Sequence, residues 1–221
     1  TDPIRRKIGW RYASAGGLFL AAAVFWQGWA WLLLWPAAAL LVVAAGYLLL
    51  GAGVFQKHHG RHSFAARWLL APYLLGAWLS YRLFTRGHPA MVAVTDDLYL
   101  GRLPRAGETG QAPWRSVVDL TAEFSSSITG EHYYNLPLLD LTVPDAPTLR
   151  QAVQLIERAR QVGPVLVHCA LGASRSAVAV IAWMIQHGHA RDIAQAESMI
   201  AGRWRTVLTP AHRAVLAEAL G

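Results

Sequence analysis

Cys169 and Arg175 stand with five residues between them in the run His168-Cys169-Ala170-Leu171-Gly172-Ala173-Ser174-Arg175-Ser176. The apolar Val165-Leu166-Val167 leads into this run, and a helix-like stretch over 177–184 follows it. A tight loop that feeds a helix N-terminus turns its backbone N–H groups inward, and the helix dipole adds partial positive charge. Such a loop holds a tetrahedral oxyanion with neither metal nor cofactor. Cys169 would lie beneath the phosphorus as a thiolate, the form that a helix N-terminus and a neighbouring guanidinium favour. Arg175 would place its planar fork on two phosphate oxygens, while the amides of Ala170, Leu171, Gly172, Ala173 and Ser174 hold the equatorial oxygens. In-line attack by the sulfur would give a cysteinyl-phosphate that water hydrolyses in a second step. The Ser176 hydroxyl can donate to the sulfur and ease its departure.

The departing alkoxide needs a proton, and the carboxylates upstream are Asp119, Asp140 and Asp145. Asp140 ends an apolar strand and opens the loop ahead of Pro144 and Pro147. Asp145, followed by Ala146 and Pro147, has the pattern of a helix N-cap. Asp119 has that of a polar residue closing a buried strand. With a single cysteine the chain has no internal disulfide, which fits a reducing compartment.

These residues need a scaffold. Period-two alternation predicts strands over 91–94, 98–101, 115–120, 133–139 and 164–168, and helical spacing predicts helices over 148–162, 175–187, 190–202 and 210–220. Strands first and helices later, with a crossover into the strand before Cys169, predict an α/β fold in which a mixed sheet is flanked by helices. The loop would then sit at the C-terminal end of a central strand, where open sheets bind ligands.

The Cys-x5-Arg run, with His before the cysteine and Ser after the arginine, resembles the signature of the dual-specificity branch of the protein tyrosine phosphatase superfamily. Asp97-Leu98-Tyr99-Leu100-Gly101 and Ser116-Val117-Val118-Asp119-Leu120-Thr121 resemble that family's opening strands, and the likeness runs from about Met91 to the C-terminus. The resemblance implies a phosphoric monoester hydrolase. It also implies that Asp140, by its distance from the cysteine, is the general acid, with Asp145 the second candidate. His168 would orient the cysteine and its loop by hydrogen bonding. The loop lacks the extra cations of the superfamily's inositol-lipid phosphatases, so a simple phosphomonoester is expected. Gly172-Ala173-Ser174-Arg175-Ser176-Ala177, with Asp140-Leu141-Thr142 and Pro147-Thr148-Leu149, is similar to the mitochondrial phosphatidylglycerophosphate phosphatases.

The first ninety or so residues lie outside that likeness. Charged residues vanish over 12–56, far more than the ~20 apolar residues one span needs. The stretch is also too long for a signal peptide and lacks a cleavage site. The chain starts at Thr1 rather than Met, which leaves room for residues ahead of it. Arg5, Arg6, Lys7 and Arg11 precede the apolar run and Lys57, Arg61 and Arg67 follow it, so both flanks are expected on the cytoplasmic side of a two-pass hairpin. Residues 9–27 would lead out and 36–55 return, with Trp26, Trp29, Trp31 and Trp35 at the far interface and Pro36 in the first turn of the returning helix. Ala13, Gly17 and Ala21 offer a small-residue stripe for close helix contact, or merely reflect an alanine-rich span. A further apolar stretch over 64–84, interrupted by Pro72, reads as an interfacial helix with Trp68, Tyr73, Trp78 and Tyr81 at headgroup level; a third or tilted span is the competing reading. The expected organisation is residues 1–90 as hairpin plus interfacial helix and 91–221 as catalytic domain.

The net charge of +7 and pI near 10.1 are by themselves compatible with nucleic acid or anionic lipid. Their placement around the apolar run assigns them to the membrane, so an anionic phospholipid surface is the expected partner and nucleic acid is not. His58, His59 and His62 have no carboxylate or thiol beside them in sequence and read as solvated surface rather than metal ligands. Tethering raises the effective concentration of lipid headgroups at the pocket, which points to a phospholipid phosphate, phosphatidylglycerophosphate foremost. A membrane-tethered tyrosine or dual-specificity protein phosphatase acting on a phosphoprotein is the alternative, and an inactive phosphate-binding scaffold a third.

Overall fold

The computed structural model of the chain describes residues 3–110, 112–128 and 132–221. Helix α1 (Pro3–Trp26) runs out along the apolar segment and α2 (Leu34–Ala45) returns, extended by irregular helical turns over Gly46–Leu50 and Gly51–Phe55. The two pack side by side through Gly9 and Gly16, which are buried together with Ile8 and Ala23. A Cβ at Gly9 would come within 2.7 Å of Leu48, and one at Gly16 within 2.9 Å of Leu41. The small-residue stripe is therefore Gly9, Gly16 and Ala23. Gly17, one of the three residues of the stripe the sequence offered, faces open space, so at Gly17 the plain alanine-rich reading holds. Seven residues span nearly two full helical turns and keep one face, whereas a four-residue repeat drifts around the helix. Arg5 turns back to donate to the carbonyls of Tyr47 and Gly46 at 2.7 and 3.2 Å, a cation on helix-terminal carbonyls.

The stretch over 64–84 forms two helices, α3 (Phe64–Leu69) and α4 (Ala71–Phe84). Ser63 caps the first by accepting from the Ala66 N–H, and Leu70 with Pro72 breaks the pair. At 14 residues, α4 is about 21 Å long against the ~30 Å hydrocarbon core, too short to cross it. It packs on the hairpin and on the sheet region that follows, with Tyr73 and Tyr81 buried beneath it and Leu75, Trp78, Leu79 and Leu83 exposed on the opposite side.

Between the hairpin and α3 the chain makes a small antiparallel ladder, β1 (Lys57–His58) with β2 (Arg61–His62). Its turn, His59-Gly60, takes φ of 47° and 81°. Two-residue strands carry no periodicity, and this ladder was not foreseen. Lys57, counted in the basic flank after the apolar run, does not lie at the surface. The side chain is fully buried and pairs with Asp119 at 2.7 Å, while also donating to the Thr121 carbonyl and hydroxyl. His62 is likewise half-buried, with its ring Nε2 2.8 Å from the Ala122 carbonyl; only His58 and His59 of the trio are exposed.

The remainder of the chain forms the predicted α/β arrangement of a mixed sheet flanked by helices. Strands β3 (Met91–Ala93), β4 (Leu98–Arg102), β5 (Ser116–Thr121), β6 (Tyr133–Leu138) and β7 (Val165–Cys169) take the order β3-β4-β7-β5-β6. Within this sheet the β3–β4 pair is antiparallel and the other described pairs are parallel. Helices α5 (Ala146–Arg160), α6 (Arg175–Gln186), α7 (Ile193–Ala201) and α8 (Pro210–Leu220) complete it. Helix starts moved where caps dictated: Asp145 accepts from the Thr148 N–H and begins α5 at Ala146, and Asp192 accepts from Gln195 and delays α7 to Ile193. Leu98, Leu100, Val118, Leu120, Val165 and Val167 point to one side and pack on α5 and α6 around Trp183, each such burial contributing roughly 1.5–3 kcal/mol.

The alternate side of β5 and β7 carries the buried Asp119 and His168, 3.9 Å apart, and this is the face Lys57 enters. Burial pushes the Asp119 carboxyl up, but His168 and Lys57 outweigh it and hold it at about 2. Its contribution to stability is therefore complete above the unfolded value of ~3.9 and is lost as pH falls through about 2. Replacing Lys57 with Met is expected to destabilise the fold by about 3–5 kcal/mol, because it strands a buried charge. The denaturation midpoint should fall accordingly, and adding Asp119→Asn should restore part of it. A midpoint unmoved by Lys57→Met would refute the pairing.

Candidate active site

Strand β7 ends at Cys169 and α6 begins at Arg175, so the intervening residues must reverse from strand to helix within one tight loop. Gly172 makes that possible. Its φ is 76°, and a Cβ there would fall 2.6 Å from both the Gly101 carbonyl oxygen and the Trp204 ring. The loop's carbonyls are drawn outward: Ala170 accepts from Leu103 N–H, Gly172 from the Trp204 indole, and Ala173 from Val207 N–H at 3.0, 3.1 and 2.7 Å. In a trans peptide the N–H points opposite to the C=O, so the amides of Leu171, Ala173 and Ser174 turn toward the loop interior. Ser174 is tethered from α8 by His212. Its Nδ1 accepts from the Thr209 N–H, which leaves Nε2 to donate to the Ser174 hydroxyl at 3.1 Å.

Cys169 forms the floor and is buried, and Ser176 Oγ donates to its sulfur at 3.3 Å. His168 is fully buried behind it, with Nδ1 donating to the Cys169 carbonyl at 3.3 Å. Burial lowers its pKa against the opposing pull of the Asp119 carboxylate, and the ring positions the strand end.

Arg175, also buried, makes four hydrogen bonds through its terminal nitrogens. Nη1 donates to Glu123 and to the Leu138 carbonyl, both at 2.9 Å; Nη2 donates to Glu123 at 2.7 Å and to Asp140 at 2.8 Å. Burial works against the guanidinium's charge, but Glu123 and Asp140 overcome this and its pKa lies well above the ordinary value. Arg175 is thus a permanent cation in a rigid setting. Glu123, buried just beyond β5, is the functional neighbour that sequence reasoning missed; the only available signal was a carboxylate following an apolar strand. His212 was missed too, and nothing near it in the sequence pointed to the loop.

The carboxylates separate by position. Asp140 reaches Arg175 while its side chain stays 43% exposed, as a group that must meet a substrate requires. Leu141, next to it, sits at φ 57°, a left-handed conformation costing roughly 1–2 kcal/mol for a side chain of this kind and typical of loops held for function. Asp145 is occupied as the α5 cap, and Asp119 by Lys57 and Tyr133. The structure thus brings Cys169, Arg175, Ser176 and Asp140 into one cluster and leaves the other two carboxylates outside it.

The family profile described as "Dual specificity phosphatase, catalytic domain" matches residues 98–218. Among solved structures, "Tk-PTP in the active form" is 23% identical with a TM-score of 0.53, covering 60% of this chain and 97% of that one. PTPMT1 in complex with PI(5)P is 23% identical, TM-score 0.52, covering 60% and 95%. Human DUSP28 is 24% identical, TM-score 0.51, covering 59% and 93%. At these identities the likeness establishes a shared fold.

Proposed function

Because the chain belongs to the dual specificity phosphatase family, and is thus a cysteine-dependent hydrolase of phosphoric monoesters, we propose that Cys169 is its nucleophile, Arg175 its phosphate clamp and Asp140 its general acid. The Cys169 thiolate attacks phosphorus in line, and the ester P–O bond breaks as Asp140 delivers its proton to the leaving oxygen. Inward amides of the 170–174 loop and the guanidinium hold the equatorial oxygens as charge redistributes. Phosphate oxygens displace Asp140 from Nη2, and the freed carboxyl, taking a proton from solvent, faces the leaving group as the acid. Water, giving its proton to Asp140, then cleaves the S–P bond. Ser176 stabilises the departing sulfur.

The substrate we assign is a phospholipid phosphomonoester, with phosphatidylglycerophosphate first among them. One observation carries this reading. The Tyr47 hydroxyl, on the returning arm of the apolar hairpin, donates to the backbone carbonyl of Asp140 at 2.9 Å. The hairpin is joined to the acid loop itself and is no loose tether ending in the linker over 85–90. Two helical segments, Pro3–Trp26 and the run Gly28–Phe55 that includes α2, are long and apolar enough to cross a membrane, and Leu18, Val24, Phe25, Trp26, Trp29 and Leu32 are exposed on them, as lipid-facing residues are. In this reading residues 1–90 anchor a cytoplasmic catalytic domain over 91–221, with α4 lying at the headgroup level. That PTPMT1, which shares the fold, has been seen with PI(5)P accords with a lipid substrate.

The full-length protein, in mixed micelles, should release phosphate from phosphatidylglycerophosphate with a kcat/KM well above that for a phosphotyrosine peptide. Turnover confined to the peptide would overturn the lipid assignment in favour of a membrane-tethered protein phosphatase.

A further inference from the structure

The space above the catalytic loop is walled by the very helices assigned to the membrane. A cavity of about 360 Å³ is lined at its base by Glu123, Asp140, Ala170 and Leu171, and on its remaining sides by Tyr12 of α1, Leu40 of α2 and Gly76, Ala77 and Ser80 of α4. Its size falls at the lower end of the ~300–1,000 Å³ typical of small-molecule sites. Two features give it direction. Tyr12 immediately follows Arg11, the last charge before the apolar run. Leu40 lies seven residues from Tyr47, the residue bonded to the acid loop, and hence about 10 Å farther along the hairpin. The cavity therefore runs from the phosphate-binding loop, across the boundary between charged flank and apolar segment, into the part of the hairpin that lies in hydrocarbon.

Gly76 adds an independent observation. A glycine inside a helix weakens it by roughly 0.8–1 kcal/mol relative to alanine, and Gly76 is exposed at the wall of this cavity. Its backbone is not in the left-handed region, and a Cβ built on it meets no atom within 4 Å. A larger side chain at this lining position has room to stand at the cavity mouth.

We propose that the cavity between α1–α2 and α4 seats the glycerol backbone and first acyl carbons of the lipid whose phosphate lies over Cys169. The lipid enters sideways from the bilayer, and Gly76 keeps the passage open. The proposal rests on the lipid reading above and assigns the residues that select for it. A phosphorylated headgroup at the loop needs its diacyl tail to stay in hydrocarbon, and a passage crossing the interface meets both needs without lifting the lipid out. Tyr12 and Ser80 would meet the ester region, and Leu40 and Ala77 the methylenes.

The test is a graded series, Gly76→Ala, Gly76→Leu and Gly76→Trp, with Leu40→Trp narrowing the opposite wall. Each is assayed on phosphatidylglycerophosphate in mixed micelles and on p-nitrophenyl phosphate, with the thermal midpoint recorded. Leucine or tryptophan at position 76 should lower kcat/KM for the lipid by roughly tenfold or more beyond any change on the aryl phosphate, as expected when a reacting group is displaced by about an ångström. Alanine should do so far less, and Leu40→Trp should repeat the selective loss. Lipid and aryl turnover falling in step, or lipid turnover unmoved in a folded Gly76→Trp protein, would overturn the proposal. An unsubstituted protein that turns over only phosphopeptide would fail at the earlier step, by removing the lipid substrate itself.

Discussion

Cys169→Ser should abolish phosphate release while leaving the phosphate site intact. The loop amides, Arg175 and Ser176 that surround the sulfur do not depend on it for their positions. They are set by Glu123, by the outward-drawn carbonyls and by the start of α6. Oxygen in place of sulfur is a far weaker nucleophile at neutral pH, because a serine hydroxyl stays protonated with no base beside it. The expected loss in kcat is at least ~10⁴-fold, the scale on which deleting a nucleophile acts. Inorganic phosphate should still bind within a few-fold of the unsubstituted protein. Titration of the anion by calorimetry, alongside a burst assay for the phosphoenzyme, separates the two effects. Substantial turnover by the serine protein would remove the covalent mechanism altogether.

Asp140→Asn should discriminate among leaving groups. A lipid alkoxide is a poor leaving group and must be protonated as the P–O bond breaks, whereas p-nitrophenolate departs without help. The substitution should slow hydrolysis of the lipid by ~10²–10⁴-fold and hydrolysis of p-nitrophenyl phosphate much less. A second consequence follows from the 2.8 Å contact between Asp140 and Arg175 Nη2. An amide competes less well than a carboxylate for the guanidinium, so anion affinity should rise in the same protein whose lipid turnover has collapsed. A merely misfolded loop would lower both. Equal slowing on both substrates would remove Asp140 from the role of acid.

The Arg175 setting also bears on why both effects are expected to be large. A buried guanidinium already satisfied by Glu123 has little freedom to reorient, so phosphate meets a charge whose ordering cost was met on folding. Asp140, partly exposed and bonded through one oxygen, is the movable member. The asymmetry between a fixed cation and a yielding carboxylate lets the same pair bind substrate and then surrender the proton donor to it.

What the sequence determined is what neighbours in the chain decide among themselves. The strand–loop–helix around Cys169 was legible because five residues must join an apolar strand to a helix, and small residues with one glycine permit no wider path. The five sheet strands and the α5 cap at Asp145 were legible for the same reason, since alternation and capping act within a few positions. The tertiary structure alone decided the rest. Lys57 with Asp119, Glu123 with Arg175, His212 with Ser174 and Tyr47 with the Asp140 carbonyl lie 62, 52, 38 and 93 residues apart. Each joins polar groups that would be costly to bury alone, and no local pattern says which distant partner will satisfy them. The closing of the hairpin and α4 around the catalytic loop belongs with these, because apolar faces find one another by shape and exclusion of water, which carry no fixed spacing along the chain.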